Sequence, residues 1–195
     1  MNAPVLRGAR VRLRPWIEAD LAPFAAMNAD PEVMRHFVEP LSRVQSDAMV
    51  QRIRDHFTQH GFGLWALDVP AGPEAEGARR FAGFVGLASM PSFDLPAEGG
   101  VRPGSFEIGW RLARDAWGQG YASEAAALTL DHAFARLGLS QVVSFTTLAN
   151  HASQAVMKRI GLTRRGEFDH PRIAEKHPLR RHVIYAQDAP LKAPS

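Results

Sequence analysis

The alternation of apolar and polar residues along the chain predicts most of its elements. Residues 9–14, Ala-Arg-Val-Arg-Leu-Arg, alternate with a period of two and predict a strand with one buried face. From Glu18 to Asn28 the apolar residues Leu21, Phe24, Ala25 and Met27 fall at helical spacing, and Pro31 opens a second short turn through Phe37. Ser42 and Gln45 form a capping box ahead of Val44, Ala48, Met49, Ile53 and Phe57, so a helix is expected to about Gln59, stopped by Gly61.

Two β-rich runs, Gly63 to Val69 and Phe81 to Ser89, flank a Pro/Gly/Glu stretch over 70–78 and read as a hairpin. A long loop over 91–104 leads to Ser105–Ala113. There Phe106, Ile108, Trp110 and Leu112 occupy one face and Glu107, Gly109 and Arg111 the other. Residues 118–136 predict the strongest helix, with Ala122, Ala126, Leu130 and Phe134 on one stripe and Gly138 beyond its end. A strand over 141–148, a helix from His151 to Ile160 capped by Asn150, and strands at 162–168 and 181–187 complete the order.

At 195 residues the chain fits one domain, placed over 6–188, with the ends at 1–5 and 189–195 expected to fray. The absence of cysteine excludes disulfides, thiolate metal sites and a cysteine nucleophile. A pI near 9.8 raises the question of nucleic acid, but the basic residues are interleaved with acids and form no run, so that partner is not expected. No apolar run approaches a membrane span and no leader pattern is seen at the start, so the reading is cytoplasmic. His56 and His60 share a helix face, but no third ligand is apparent and no metal is expected. His170, His177 and His182 cluster late in the chain, either beside an acceptor or at the surface. Trp16, Trp65 and Trp110 read as core.

The informative junction is a strand followed by Gly118-x-Gly120-x-Ala122 and a long helix. A helix start leaves four amides without partners, and its dipole adds partial positive charge, so a phosphate group is stabilised there. A tight structural turn would use the same glycines. A dinucleotide fold would put the turn after the first strand, and a Walker loop needs Gly-Lys-Ser/Thr. Neither condition is met.

The strings Glu107-Ile108-Gly109-Trp110-Arg111-Leu112 and Trp117-Gly118-Gln119-Gly120-Tyr121-Ala122-Ser123-Glu124-Ala125 resemble the acetyl-CoA signature of GNAT acyltransferases. The branch most resembled contains the ribosomal-protein N-terminal acetyltransferases RimJ and RimL. Leu13-Arg14-Pro15-Trp16 with Asp20-Leu21 resembles that branch's opening, and Asn150-His151-Ala152-Ser153 with Met157-Lys158-Arg159-Ile160-Gly161 its second cofactor motif. Trp117 stands where the superfamily pattern has Gln or Arg, and Arg181 where many members carry Asp.

The resemblance implies a mixed α/β (α+β) single-domain GNAT fold. Its sheet would have about seven strands, mostly antiparallel, with helices on both faces and a splayed parallel pair forming the acyl-CoA cleft. It implies acetyl-CoA as co-substrate, with pantetheine along Trp110 and Leu112 and the pyrophosphate on the turn Trp117, Gly118, Gln119, Gly120, Tyr121, Ala122 and Ser123. Asn150 and Ser153 would approach the thiol end, although both are also explained as helix-capping residues. Glu107 is the candidate base, with Ser153 or Tyr185 as proton donor to the leaving thiolate. The acceptor would be a primary amine, on a protein N-terminus or a small molecule, served by a monomer or homodimer. A CoA-binding scaffold without turnover and an unrelated nucleotide-binding module are the competing readings.

Overall fold

The structure is a computed structural model that describes residues 4–72, 77–93, 95 and 100–190. Among the described residues, eight strands and five α-helices make a mixed α/β fold, mostly antiparallel with one parallel pair. The chain divides into two compact units, 1–88 with 109–129 and 89–108 with 130–195.

In the first unit β1 (Leu6–Arg7), β2 (Arg12–Arg14), β3 (Leu64–Pro70) and β4 (Arg79–Ser89) run antiparallel in that order. β5 (Phe106–Leu112) follows β4, its last four residues lying in this unit. Gly83 permits that approach: its φ is +134°, and a Cβ there would lie 2.1 Å from the Arg111 carbonyl oxygen. Three helices, α1 (Leu21–Ala29), α2 (Pro31–Met34) and α3 (Arg43–His60), carry the apolar face. Their residues Phe24, Met27, Val33, Val50 and Ile53 pack with Trp16, Ala66 and Phe84.

α3 follows the sequence expectation closely. Ser42 Oγ accepts from the Gln45 amide, Gln45 returns the bond to the Ser42 amide, and Gly61 ends the helix at φ +76°. The strand expected over 9–14 is shorter, because the Gly8 amide donates to the Val11 carbonyl and turns the chain. What precedes that turn is β1, which makes the strand count eight instead of about seven. Asp68, buried and held at a bulge in β3, accepts from Arg12 and Arg14, and Arg14 also reaches buried Asp20 at 2.7 and 2.8 Å. These paired charges satisfy one another out of water.

In the second unit the start of β5 pairs in parallel with β6 (Gln141–Thr147), and β6 continues antiparallel to β8 (Arg181–Asp188), which pairs with β7 (Thr163–Asp169). Val143, Phe168, Ile184 and Ala186 form its core, with Phe93 and Phe145 packed against them. α4 (Tyr121–Ala135) begins in the first unit and ends in the second, and α5 (His151–Arg159) follows β6. Trp16 and Trp65 are buried, as expected, and Trp110 is half-buried. Of the ends expected to fray, residues 1–3 and 191–195 fall outside the described residues, as do 73–76, 94 and 96–99 in the loops over 70–78 and 91–104.

Candidate active site

In the first unit the chain leaves β5, makes a single 3-10 turn over Arg114–Ala116, and enters α4 through Trp117, Gly118, Gln119 and Gly120. Gly118 and Gly120 have φ of +72° and +80°, a region that side chains rarely adopt. These two residues delay the helix to Tyr121, three positions later than the hydrophobic pattern suggests. The first bond of the helix runs from the Glu124 amide to the Gly120 oxygen at 3.1 Å. The amides of Tyr121 and Ala122 therefore have no acceptor within the helix. Gly118, Gln119 and Gly120 are exposed, and nothing lies within 4 Å of a Cβ built at Gly118.

Trp117 anchors this turn. Its indole N–H donates to the Leu112 carbonyl at 2.8 Å, its ring packs against the first core, and the Arg35 guanidinium lies over it. The one donor of the Trp117 side chain is thus committed to the end of β5, which gives the replacement of Gln or Arg a structural role. Two residues that sequence reasoning missed fasten the other side. Glu124, in the first turn of α4, accepts from the Arg10 amide at 2.7 Å, Arg10 Nε at 2.9 Å and the Val11 amide at 3.3 Å. Burial raises the pKa of its carboxyl, but the Arg10 and Val11 donors outweigh that effect and hold it below its usual value. Arg10 Nη1 also donates to the Gln119 carbonyl, and its guanidinium lies over the Tyr121 ring. A Cβ at Gly120 would be 3.3 Å from Arg10 Nη2. The only local signal was an acid in the first turn of a helix.

In the second unit Glu107 pairs with Val143 across the parallel ladder, and Ser144 Oγ donates to the Ile108 carbonyl at 2.9 Å. Glu107 keeps a partly exposed surface, yet the protein packed around it pushes its carboxyl up to about 8. No nearby charge accounts for the rise: desolvation alone causes it. Tyr185, on β8, pairs with Ser144 of β6, is buried, and donates its hydroxyl to Gln154 Oε1 at 3.4 Å. Two strand spacings, roughly 10 Å, separate the backbones of Glu107 and Tyr185, so they are not a hydrogen-bonded pair. Asn150 caps α5: its Oδ1 accepts from the Ser153 amide at 3.1 Å while its Nδ2 donates to Thr146 Oγ1 at 3.0 Å. Ser153 is half-buried, and among the described residues its hydroxyl makes no hydrogen bond.

The other histidines divide. His170 and His182 pack against Phe93, Phe145 and Phe168, and desolvation lowers both pKa values. His177 Nδ1 accepts from the Leu179 amide in the turn before β8. Arg181, where an acid was noted as common, is exposed and pairs with Glu167 and Asp169 on β7. Among the described residues no three His, Cys, Asp or Glu side chains gather as a metal site, and no helix is long and apolar enough to cross a membrane.

Residues 10–163 match the model of the acetyltransferase (GNAT) domain. The chain belongs to the GNAT acetyltransferase family. The FsC-acetyl coenzyme A-N(2)-transacetylase of Aspergillus fumigatus is 34% identical over 163 residues, covering 82% of this chain and 65% of the fungal protein, so the match spans just under two thirds of that relative. An acetyltransferase from Agrobacterium tumefaciens superposes with a TM-score of 0.71 at 27% identity, over 96% of this chain and 95% of the other. The RimL ribosomal L7/L12 α-N-protein acetyltransferase in complex with coenzyme A superposes with a TM-score of 0.73 at 16% identity, over 95% and 98%, and shares the fold.

Proposed function

We propose that this GNAT enzyme, acting through residues 6–188 as one domain, transfers an acetyl group from acetyl-CoA to a primary amine. Direct attack in a ternary complex is the proposed route. The observation that carries the reading is the start of α4, where glycines at positive φ expose amides that the helix leaves unpaired. The amides over Gly118–Ala122 suit a pyrophosphate, since helix dipole and unpaired donors act on the same anion. Arg10, ion-paired with Glu124, donates to the Gln119 carbonyl and so fixes the backbone of the turn beside them. The open space at Gly118 leaves room for a phosphate to approach the backbone.

Bound acetyl-CoA would supply the activated thioester. An α-amine with a pKa near 8 is about a tenth neutral at pH 7, so modest assistance suffices. Glu107 would provide it, taking the proton that the attacking nitrogen loses. With a pKa of about 8 its carboxylate is a strong enough base for that step, though only about a tenth is ionised at pH 7. Ser153, whose hydroxyl makes no hydrogen bond among the described residues, or Tyr185, whose hydroxyl donates to Gln154 Oε1, would protonate the leaving thiolate. Asn150 would position Ser153 by holding its amide.

The name of the fungal relative supports acetyl coenzyme A as donor and nitrogen as acceptor. The RimJ/RimL-like branch rests on the motifs and shared fold, and a protein N-terminus or a small amine both suit it. Calorimetry with acetyl-CoA, followed by thiol release over a panel of amines and N-terminal peptides, tests the proposal. Micromolar cofactor binding with turnover of at least one amine is expected. Absence of binding at millimolar acetyl-CoA would overturn it.

A further inference from the structure

Among the described residues, Arg111 is a cation with no counterion. It lies on β5, in the part of that strand that belongs to the first unit. Its Nη1 donates to Asn28 Oδ1 at 2.6 Å, and Asn28 Nδ2 in turn donates to Ser46 Oγ at 2.9 Å. Asn28 and Ser46 are both completely buried and both neutral. Among the described residues no carboxylate lies within ion-pair distance of the guanidinium, and its buried Nε has no hydrogen-bond partner. By contrast, the same unit surrounds Arg12 and Arg14 with Asp68 and Asp20.

The geometry of what remains is specific. With Nη1 occupied, the free edge of the guanidinium is the Nε and Nη2 pair, whose parallel N–H bonds match the two oxygens of a carboxylate. Arg14 offers that same edge to Asp68 in this chain, Nε at 2.9 Å and Nη2 at 2.8 Å. The guanidinium is stacked under Phe37 at 4.2 Å and lies 5.6 Å from Phe84. Phe37 is 45% exposed and the following Val38 is 59% exposed, so the cover over Arg111 is an apolar residue that borders solvent. Burial without a compensating anion also pulls the guanidinium down to about 10.

We propose that Arg111 binds the carboxylate of a small-molecule amine acceptor through its Nε and Nη2 edge, with Asn28 fixing the guanidinium and Phe37 closing over the ligand. This rests on the transferase reading above and names its acceptor class: an amine that also carries a carboxylate. A half-buried cation with no anion beside it is costly, and a ligand anion would reduce that cost. Phe37 and Val38 would favour an acceptor with an apolar part next to its carboxylate.

Binding of N-acetyl amino acids and their carboxamides to the CoA-loaded protein tests this without the complication of amine ionisation. Calorimetry with N-acetyl-leucine, N-acetyl-phenylalanine, N-acetyl-glutamine and N-acetyl-lysine, each against its carboxamide, gives a ratio of dissociation constants. The expected preference for the carboxylate is on the order of tenfold or more for at least one pair. In Asn28→Asp the introduced carboxylate neutralises Arg111 from its existing contact, and the ratio should fall to about one. Arg111→Gln should have the same effect, and Asn28→Asp serves where that variant does not fold. A wild-type ratio near one for every pair, or a preference that survives Asn28→Asp, overturns the assignment. Cofactor binding and thiol release are measured in parallel: their loss would refute the transferase reading, whereas their presence without a carboxylate preference refutes only the role of Arg111.

Discussion

Replacing Glu107 with Gln separates the energetic and the chemical consequences of its desolvation. The carboxyl is pushed from its ordinary value of 4.5 to about 8, so the folded protein keeps a proton that the unfolded chain releases. Stability from this group is therefore complete below about pH 4.5 and lost as pH rises through about 8. The whole shift corresponds to an upper limit of about 5 kcal/mol, and the residue's remaining exposure reduces that to roughly 2–3 kcal/mol. Gln mimics the protonated form and removes the dependence. Urea unfolding at pH 5, 6, 7 and 8 should show the variant gaining on the wild type by roughly that amount across the series. His56, His132, His170 and His182, whose pKa values burial lowers, act oppositely at low pH but equally in both proteins, so the difference isolates Glu107. Thiol release should change in parallel. Ionisation rises from about a tenth to about a half between pH 7 and 8, so the wild-type rate should gain about fivefold relative to the variant. Parallel unfolding curves would refute the desolvation, and a constant ratio of rates would refute the role as base.

Gly120→Asp places a carboxylate beside Arg10 Nη2, 3.3 Å from the new Cβ, where it would compete with a phosphate. Acetyl-CoA affinity should fall by about tenfold or more, far beyond the effect of Glu107→Gln on binding, and equal losses would misplace the site. Glu124→Gln removes the ion pair that steadies Arg10 and one of the oxygens holding residues 10 and 11. About 1 kcal/mol of stability and a severalfold loss of acetyl-CoA affinity are expected by urea unfolding and calorimetry; no change in affinity would separate Arg10 from the site. Asp68→Ala leaves Arg12 and Arg14 without their shared partner and should cost about 3–5 kcal/mol, read as a lowered melting temperature. A loss under 1 kcal/mol would mean that the pairing is compensated elsewhere.

Local signals were enough for elements whose ends are fixed by their own residues. α3 is bounded by Ser42 with Gln45 and by Gly61, and α5 by Asn150, so neighbouring positions carry the whole instruction. β5 showed its two faces by alternation. The start of α4 was misread because hydrophobic spacing runs back to Gly118, whereas the positive φ of Gly118 and Gly120 belongs to the turn. β1 has two residues, too few to show a period. The site shows the same division. The phosphate turn is a contiguous string, but Arg10 and Glu124 meet across 114 positions, and Arg111 and Asn28 across 83. No periodicity records such pairs. Nor could alternation reveal that the carboxyl of Glu107 is deprived of water, or that the Trp117 indole is committed to Leu112.

The central claim is that main-chain donors at the start of α4 hold the diphosphate of the cofactor. Calorimetric titration of the same protein with acetyl-CoA and with S-acetylpantetheine, which keeps the thioester arm and lacks every phosphate, tests it most directly. The account predicts that acetyl-CoA binds at least about a hundredfold more tightly, as expected for several charge-assisted hydrogen bonds. Equal affinity for the two ligands would contradict it.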